Sequence, residues 1–219
     1  TAPTTYTCTK EPKTEQEADE IVAAGKTKEW RVAKVTEQNR TRSPYPPFTT
    51  STLQQAASTR LGFSPSRTMA LAQKLYEAGH ITYMRTDSLT LSKQALAQAA
   101  ETIEKTYGKE EVAIKQFKTK SKNTQEAHEA VRPTHLAKAH AGNTEEQKRL
   151  YDLIRTRTLA SQMRAASILR TTVTAQADAA VPPFTVTGSR VLVPGWLRCD
   201  TAARGEDVEL PALKENDPL

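Results

Sequence analysis

Hydrophobic positions fall into three blocks along the chain, and their period changes from one block to the next. Up to about Pro47, a short helical stretch runs from Thr14-Glu15-Gln16-Glu17 through Ala18, Ile21 and Val22 and ends near Gly25. Trp30, Val32 and Val35, with polar residues between them, then predict a strand. It runs into Ser43-Pro44-Tyr45-Pro46-Pro47, whose prolines halt helix and central strand alike. From about Phe48 to Ala165 the spacing is helical. Ser51-Thr52-Leu53-Gln54 reads as a capping box with Ser51 as the cap, followed by Leu53, Ala56, Ala57 and Leu61. Ser64-Pro65 opens a second helix with an apolar face of Met69, Ala72, Leu75 and Tyr76, and Gly79 supplies its left-handed stop.

A third helix is expected from about Ser92 through Leu96, Ala99 and Ile103 to Gly108. Lys109 to Asn123 is lysine-rich and turn-prone, and a short helix through Glu126, His128 and Arg132 halts at Pro133. Thr144-Glu145-Glu146-Gln147 caps a long last helix carrying Leu150, Ile154, Leu159 and Met163. Strand alternation returns at Ile168 to Ala175, and again at Phe184, Val186 and Val191-Leu192-Val193. Strands before and after a helical block predict an α+β chain. In it, a helical domain (48–165) is inserted into a β-rich domain built from 1–47 and 166–219, the latter ending in an acidic, proline-punctuated linker from Glu206. Two short helices, a tight turn and a strand also resemble a winged helix-turn-helix, with Arg67 and Lys74 of the second helix turned to nucleic acid.

Composition narrows the function classes. The net charge is +6, from 31 Lys and Arg against 25 Asp and Glu, which favours a polyanionic partner. No apolar run is long enough to cross a bilayer, and no signal-peptide core follows Thr1-Ala2-Pro3. Cys8 and Cys199 lack metal-ligand spacing, so reduced thiols in a cytoplasmic protein are expected. Phosphate-binding glycine loops, a Walker lysine, paired metal-binding carboxylates and a Gly-x-Ser-x-Gly elbow are all missing, so ATP use is not expected. A first residue other than Met and the acidic end read as an excised piece of something longer.

The chemistry concentrates in Ile81-Thr82-Tyr83-Met84-Arg85-Thr86-Asp87-Ser88. Strand alternation places Tyr83 and Arg85 on one face. A phenol beside a permanent cation suits attack on a phosphodiester: the oxygen is the nucleophile, and the planar guanidinium holds the phosphate and neutralises its growing charge. The bland alternative is a half-buried packing tyrosine, the commoner fate of a tyrosine on a short strand. His128 and Arg132, four apart on the expected helix, share a face that can donate to a phosphate; the alternative is an exposed helix with local ion pairs to Glu126 and Glu129. Tyr83 is expected partly buried, its hydroxyl near Arg85 or His128. No zinc site is expected among the four histidines.

Four segments occur in order: Pro46-Pro47-Phe48-Thr49-Thr50-Ser51-Thr52-Leu53-Gln54-Gln55-Ala56-Ala57, the helix Ala70 to Gly79, the octapeptide from Ile81, and Gln125-Glu126-Ala127-His128-Glu129-Ala130-Val131-Arg132-Pro133. Together they resemble the central region of bacterial DNA topoisomerase I, a type IA enzyme, closely from about Trp30 to Met163. The resemblance implies that Tyr83 cuts one DNA strand through a 5′-phosphotyrosyl bond while Arg85 clamps the scissile phosphate. His128 would support a DNA phosphate, with Thr82, Thr86, Asp87 and Arg132 in the polar shell. It also implies relaxation of negative supercoils without ATP, single-stranded DNA at the cleavage site, a monomer, and a nucleoid-associated cytoplasmic location. Mg²⁺ would be bound by the acidic residues of a Toprim domain outside this sequence, none within it, and the piece alone would be inactive or nearly so. A non-catalytic winged-helix DNA-binding module is the rival reading.

Overall fold

The computed structural model describes residues 4–118, 128–178 and 181–219. In chain order the first elements are β1 (Thr7–Cys8), α1 (Glu15–Lys26), β2 (Arg31–Arg42), α2 (Thr50–Leu61) and α3 (Pro65–Glu77). They are followed by α4 (Lys93–Tyr107), α5 (Glu145–Ser161), β3 (Ala166–Gln176) and β4 (Phe184–Val193). The class is α+β, and the chain forms two compact units. One takes the chain up to Arg42, Ser167–Val193 and Glu206–Leu219; the other takes Ser43–Ala166 and Pro194–Gly205.

The first unit is a four-stranded sheet in the order β1-β4-β3-β2. β3 and β4 pair antiparallel, with Thr174 opposite Thr185 and Val173 opposite Val186. Thr14 caps α1, whose twelve residues include none that is buried, so α1 is a surface helix. Trp30 fixes the turn after it: the indole N–H donates to the Gly25 carbonyl at 2.9 Å, and the ring meets Phe184 edge-on at 5.1 Å. The segment after Glu206 returns to the sheet, where Val208 bridges Ser189. Gly188 leaves room for it, since a Cβ there would stand 2.5 Å from the Val208 carbonyl oxygen.

The second unit is built on one apolar core shared by α2, α3 and α5, with Phe48, Leu53, Leu75, Ile81, Met84 and Ile154 each at most 1% exposed. The cap of α2 lies two residues before the expected Ser51. Thr49 is the cap and Thr52 reciprocates, its hydroxyl accepting from the Thr49 N–H at 2.9 Å. The box sits there because Phe48, fully buried, anchors the chain immediately upstream. α3 opens at Ser64-Pro65 and is followed by Gly79 at φ +72°, as its sequence predicts. Its buried face is Thr68, Leu71, Ala72 and Leu75. Tyr76, expected in that face, is 41% exposed.

Two further expectations fail here. Ile81 to Ser88 holds no regular strand, only a bridge between Ile81 and Pro133. The helix expected through His128 and Arg132 is absent from its described part: His128 to Arg132 is extended, with Val131 bridging Phe48, and Gln125 to Ala127 lie outside the described residues. Tertiary pairing overrides local helix spacing, because the segment supplies the missing hydrogen-bond partners of both Phe48 and Thr82. At the far end of the unit, the buried Glu111 carboxylate receives Arg164 at 2.9 Å and Arg198 at 3.1 Å. Burial pushes that carboxyl up, but the two guanidiniums outweigh it and hold it below the usual carboxylate range.

Candidate nucleic-acid interface around Tyr83

The Tyr83 segment is held from both sides by threonine hydroxyls. At its start, the Thr82 N–H donates to the Arg132 carbonyl at 2.9 Å, and its hydroxyl donates to the Ala130 carbonyl at 2.7 Å. At its end, the Thr50 N–H donates to the Thr86 carbonyl at 2.9 Å. The Thr50 hydroxyl donates to the Met84 carbonyl at 2.7 Å and accepts from the Thr86 N–H at 2.9 Å. Between the clips, the Met84 side chain is buried at 1% exposure. Burial then alternates: Tyr83, Arg85 and Asp87 are exposed, whereas Met84, Thr86 and Ser88 are buried. Tyr83 and Arg85 are thus both exposed, although the backbone is not a strand.

Arg85, Thr86, Asp87 and His128 line one open cleft of about 460 Å³ together with Thr49, Thr50 and Ser51 at the start of α2. The three α2 residues were not among the expected site residues. Their signal is a Thr-Thr-Ser run at a helix start, where the helix dipole favours an anion. Placing the cap at Ser51 hid it. Tyr83 stands beside the cleft, its ring 5.9 Å from that of His128. It is 37% exposed, more open than expected, and among the described residues its hydroxyl has no hydrogen-bond partner.

The other expected DNA contacts are placed differently. Arg132 is buried, donating to Glu129 at 2.6 Å and to the Pro133 carbonyl at 2.8 Å. It braces the loop that presents His128, and its charge is taken up by Glu129. Burial raises the Glu129 carboxyl, while Arg132 and the Ser92 backbone N–H and hydroxyl pull it down and prevail. Arg67, at the start of α3, is paired with Glu146 of α5 and is not among the cleft residues. Thr82 and Thr86 spend their hydroxyls on backbone, with Thr86 accepting from the Ser88 N–H at 3.0 Å. Among the described residues, no group of three or more His, Cys, Asp or Glu is placed to hold a metal ion. No helix among them is long and apolar enough to cross a membrane.

A family model described as DNA topoisomerase matches residues 4–219. "DNA topoisomerase 1" of Synechococcus elongatus is 43% identical over 216 residues, covering 93% of this chain and 24% of the relative. "DNA topoisomerase 1" of Helicobacter pylori is 40% identical over 219 residues, covering 94% of this chain and 29% of the relative. Among solved structures, full-length topoisomerase I from Thermotoga maritima is similar with a TM-score of 0.80 and 29% identity, over 98% of this chain and 36% of that one. The chain thus spans about a quarter to a third of the length of these proteins.

Proposed function

The chain belongs to the DNA topoisomerase family, and we propose that it supplies the strand-cleaving tyrosine of a longer type IA enzyme. The phenolic oxygen of Tyr83 attacks a backbone phosphorus of single-stranded DNA. A Tyr83–phosphorus bond forms, the bond to the 3′-oxygen breaks, and that oxygen leaves as a hydroxyl once protonated. The phenol proton passes to solvent or to a base outside this chain. Because one phosphoester replaces another, the bond energy is retained and the reverse attack by the 3′-hydroxyl reseals the strand without ATP. Between the two steps the gap admits another strand, which relaxes negative supercoils.

The observation that carries this reading is an exposed Tyr83 whose ring meets His128, beside a cleft that His128 lines together with Arg85 and the start of α2. A phosphate there meets the Arg85 fork, the His128 ring and the positive end of the α2 dipole. Thr82, Thr86 and Arg132 serve it by fixing the two backbone segments, and Asp87 faces the same cleft. Arg67, tied to Glu146, is left the outer role of a contact to DNA away from the cut. The described residues do not fit a metal ion, so no step here runs through one; the Mg²⁺ that the family resemblance implies would be held by a Toprim domain of the longer enzyme. The enzyme acts as a monomer on nucleoid DNA in the cytoplasm.

The test is supercoil relaxation by the full-length enzyme. Tyr83→Phe abolishes it, and Arg85→Lys, which keeps the charge but loses the planar fork, lowers it by roughly 10²-fold. Full relaxation by Tyr83→Phe would reduce this chain to the rival reading, a non-catalytic DNA-binding module.

A further inference from the structure

Tyr83 has a fixed backbone and a loosely held side chain. The clips at Thr82 and Thr50, with buried Met84 between them, settle where its Cα lies. They do nothing for the two side-chain torsions that aim the phenol. Among the described residues no hydrogen bond holds its hydroxyl, and at 37% exposure the ring is not packed into place. An unrestrained tyrosine distributes over staggered rotamers, yet in-line attack requires one orientation, with the oxygen roughly 3–3.5 Å from phosphorus.

Two rings touch it. His128 lies 5.9 Å away at a tilt of 39°, and Tyr76 lies 5.4 Å away, nearly edge-on at 64°. Their supports differ. His128 is exposed on a loop, whereas Tyr76 sits in the last turn of α3, next to the fully buried Leu75. Just beyond it, Gly79 turns the chain back and His80 donates its N–H to the Leu75 carbonyl at 2.8 Å. Tyr76 is itself 41% exposed, so the core does not account for an aromatic side chain at this position. Contact with Tyr83 does.

We propose that Tyr76 is a positioning residue that holds the Tyr83 phenol in its attacking rotamer through an edge-to-face ring contact. The inference rests on the reading of Tyr83 as nucleophile. A ring pair of this kind biases a rotamer equilibrium by roughly 2- to 10-fold, which sets the size of the expected effect. Tyr76→Phe keeps the ring and loses only the hydroxyl; Tyr76→Leu removes the ring from an exposed position whose loss leaves the core intact.

The first readout is ¹⁹F NMR of this chain labelled with 3-fluorotyrosine, the Tyr83 signal being the one that Tyr83→Phe removes. Tyr76→Phe leaves that signal near its wild-type shift, and Tyr76→Leu moves it towards free fluorotyrosine and narrows it. The second is single-turnover adduct formation by the full-length enzyme at saturating oligonucleotide. Its rate constant falls roughly 2- to 10-fold in Tyr76→Leu and recovers in Tyr76→Phe, while oligonucleotide Kd is unchanged in both. A Tyr83 signal indifferent to Tyr76→Leu overturns the proposal. So does a weakened Kd with an unchanged rate constant, which would make Tyr76 a stacking platform for a base. An adduct that survives Tyr83→Phe overturns the nucleophile reading itself, and the NMR comparison still reports separately whether Tyr76 orients the ring.

Discussion

Thr50 bonds the Tyr83 segment through both its N–H and its hydroxyl, spanning Met84 to Thr86. A hydroxyl that donates to one carbonyl and accepts from one N–H cannot be replaced by a methyl without stranding both partners. Thr50→Val should therefore destabilise the second unit by about 1–3 kcal/mol, read as a shift of the urea midpoint. It should also raise amide exchange at Thr86 before it does so in α5. Met84→Ala removes the apolar anchor of the same segment and should cost about 2–5 kcal/mol in the same urea titration. The outward pair was legible in the sequence for the same reason. Period-2 burial needs only Met84 and Thr86 turned inwards, and it survives the loss of a regular strand. Less legible were Arg132 and Arg67, whose charges are taken up by Glu129 and Glu146. The second of these pairs joins residues 79 positions apart, a separation no local pattern reveals.

At the level of elements, α3, α4 and α5 start at the expected Ser64, Ser92 and Thr144, whereas the α2 cap is Thr49 rather than Ser51, and α5 ends at Ser161, short of the expected Met163, which bridges Val112 instead. The segment from His128 to Arg132 is extended rather than helical. Its apolar positions, Ala130 and Val131, are both fully buried, and they suit a helix or an extended segment equally; the open hydrogen-bond partners on Phe48 and Thr82 decide in favour of the second. Glu111 is the corresponding joint at the end of α5. It binds Arg164 and Arg198, and Trp196, 1% exposed, donates its backbone N–H to the Arg164 carbonyl at 3.0 Å. Glu111→Ala leaves two partly exposed guanidiniums without their buried acceptor and should cost about 1–3 kcal/mol, the exposure keeping the loss towards the lower end. The acid dependence follows. Glu111 and Glu129 are both held below the ordinary value of about 4.3. Their stabilisation is complete above that pH and is lost as pH falls through the lowered folded values. The unfolding temperature should be insensitive to these two groups from roughly pH 5 to 8 and should fall below about pH 4. Glu111→Gln should flatten that acid limb.

For the whole molecule, a charge of +6 predicts binding to single-stranded DNA that weakens with salt. Each phosphate neutralised contributes about 0.7 to the slope of log K against log salt. Arg85→Gln should lower that slope by about 0.7, whereas Arg132→Gln, whose charge is spent on Glu129, should leave it unchanged. Binding alone does not separate a cleaving enzyme from a DNA-holding module; a covalent bond does. The decisive measurement is mass spectrometry of the full-length enzyme trapped on a single-stranded oligonucleotide, after digestion with trypsin and nuclease. With Tyr83 as the nucleophile, a nucleotide is joined through its 5′-phosphate to the peptide containing Tyr83 and is absent from Tyr83→Phe. A nucleotide on any other residue, or none in an enzyme that still relaxes DNA, would contradict that role.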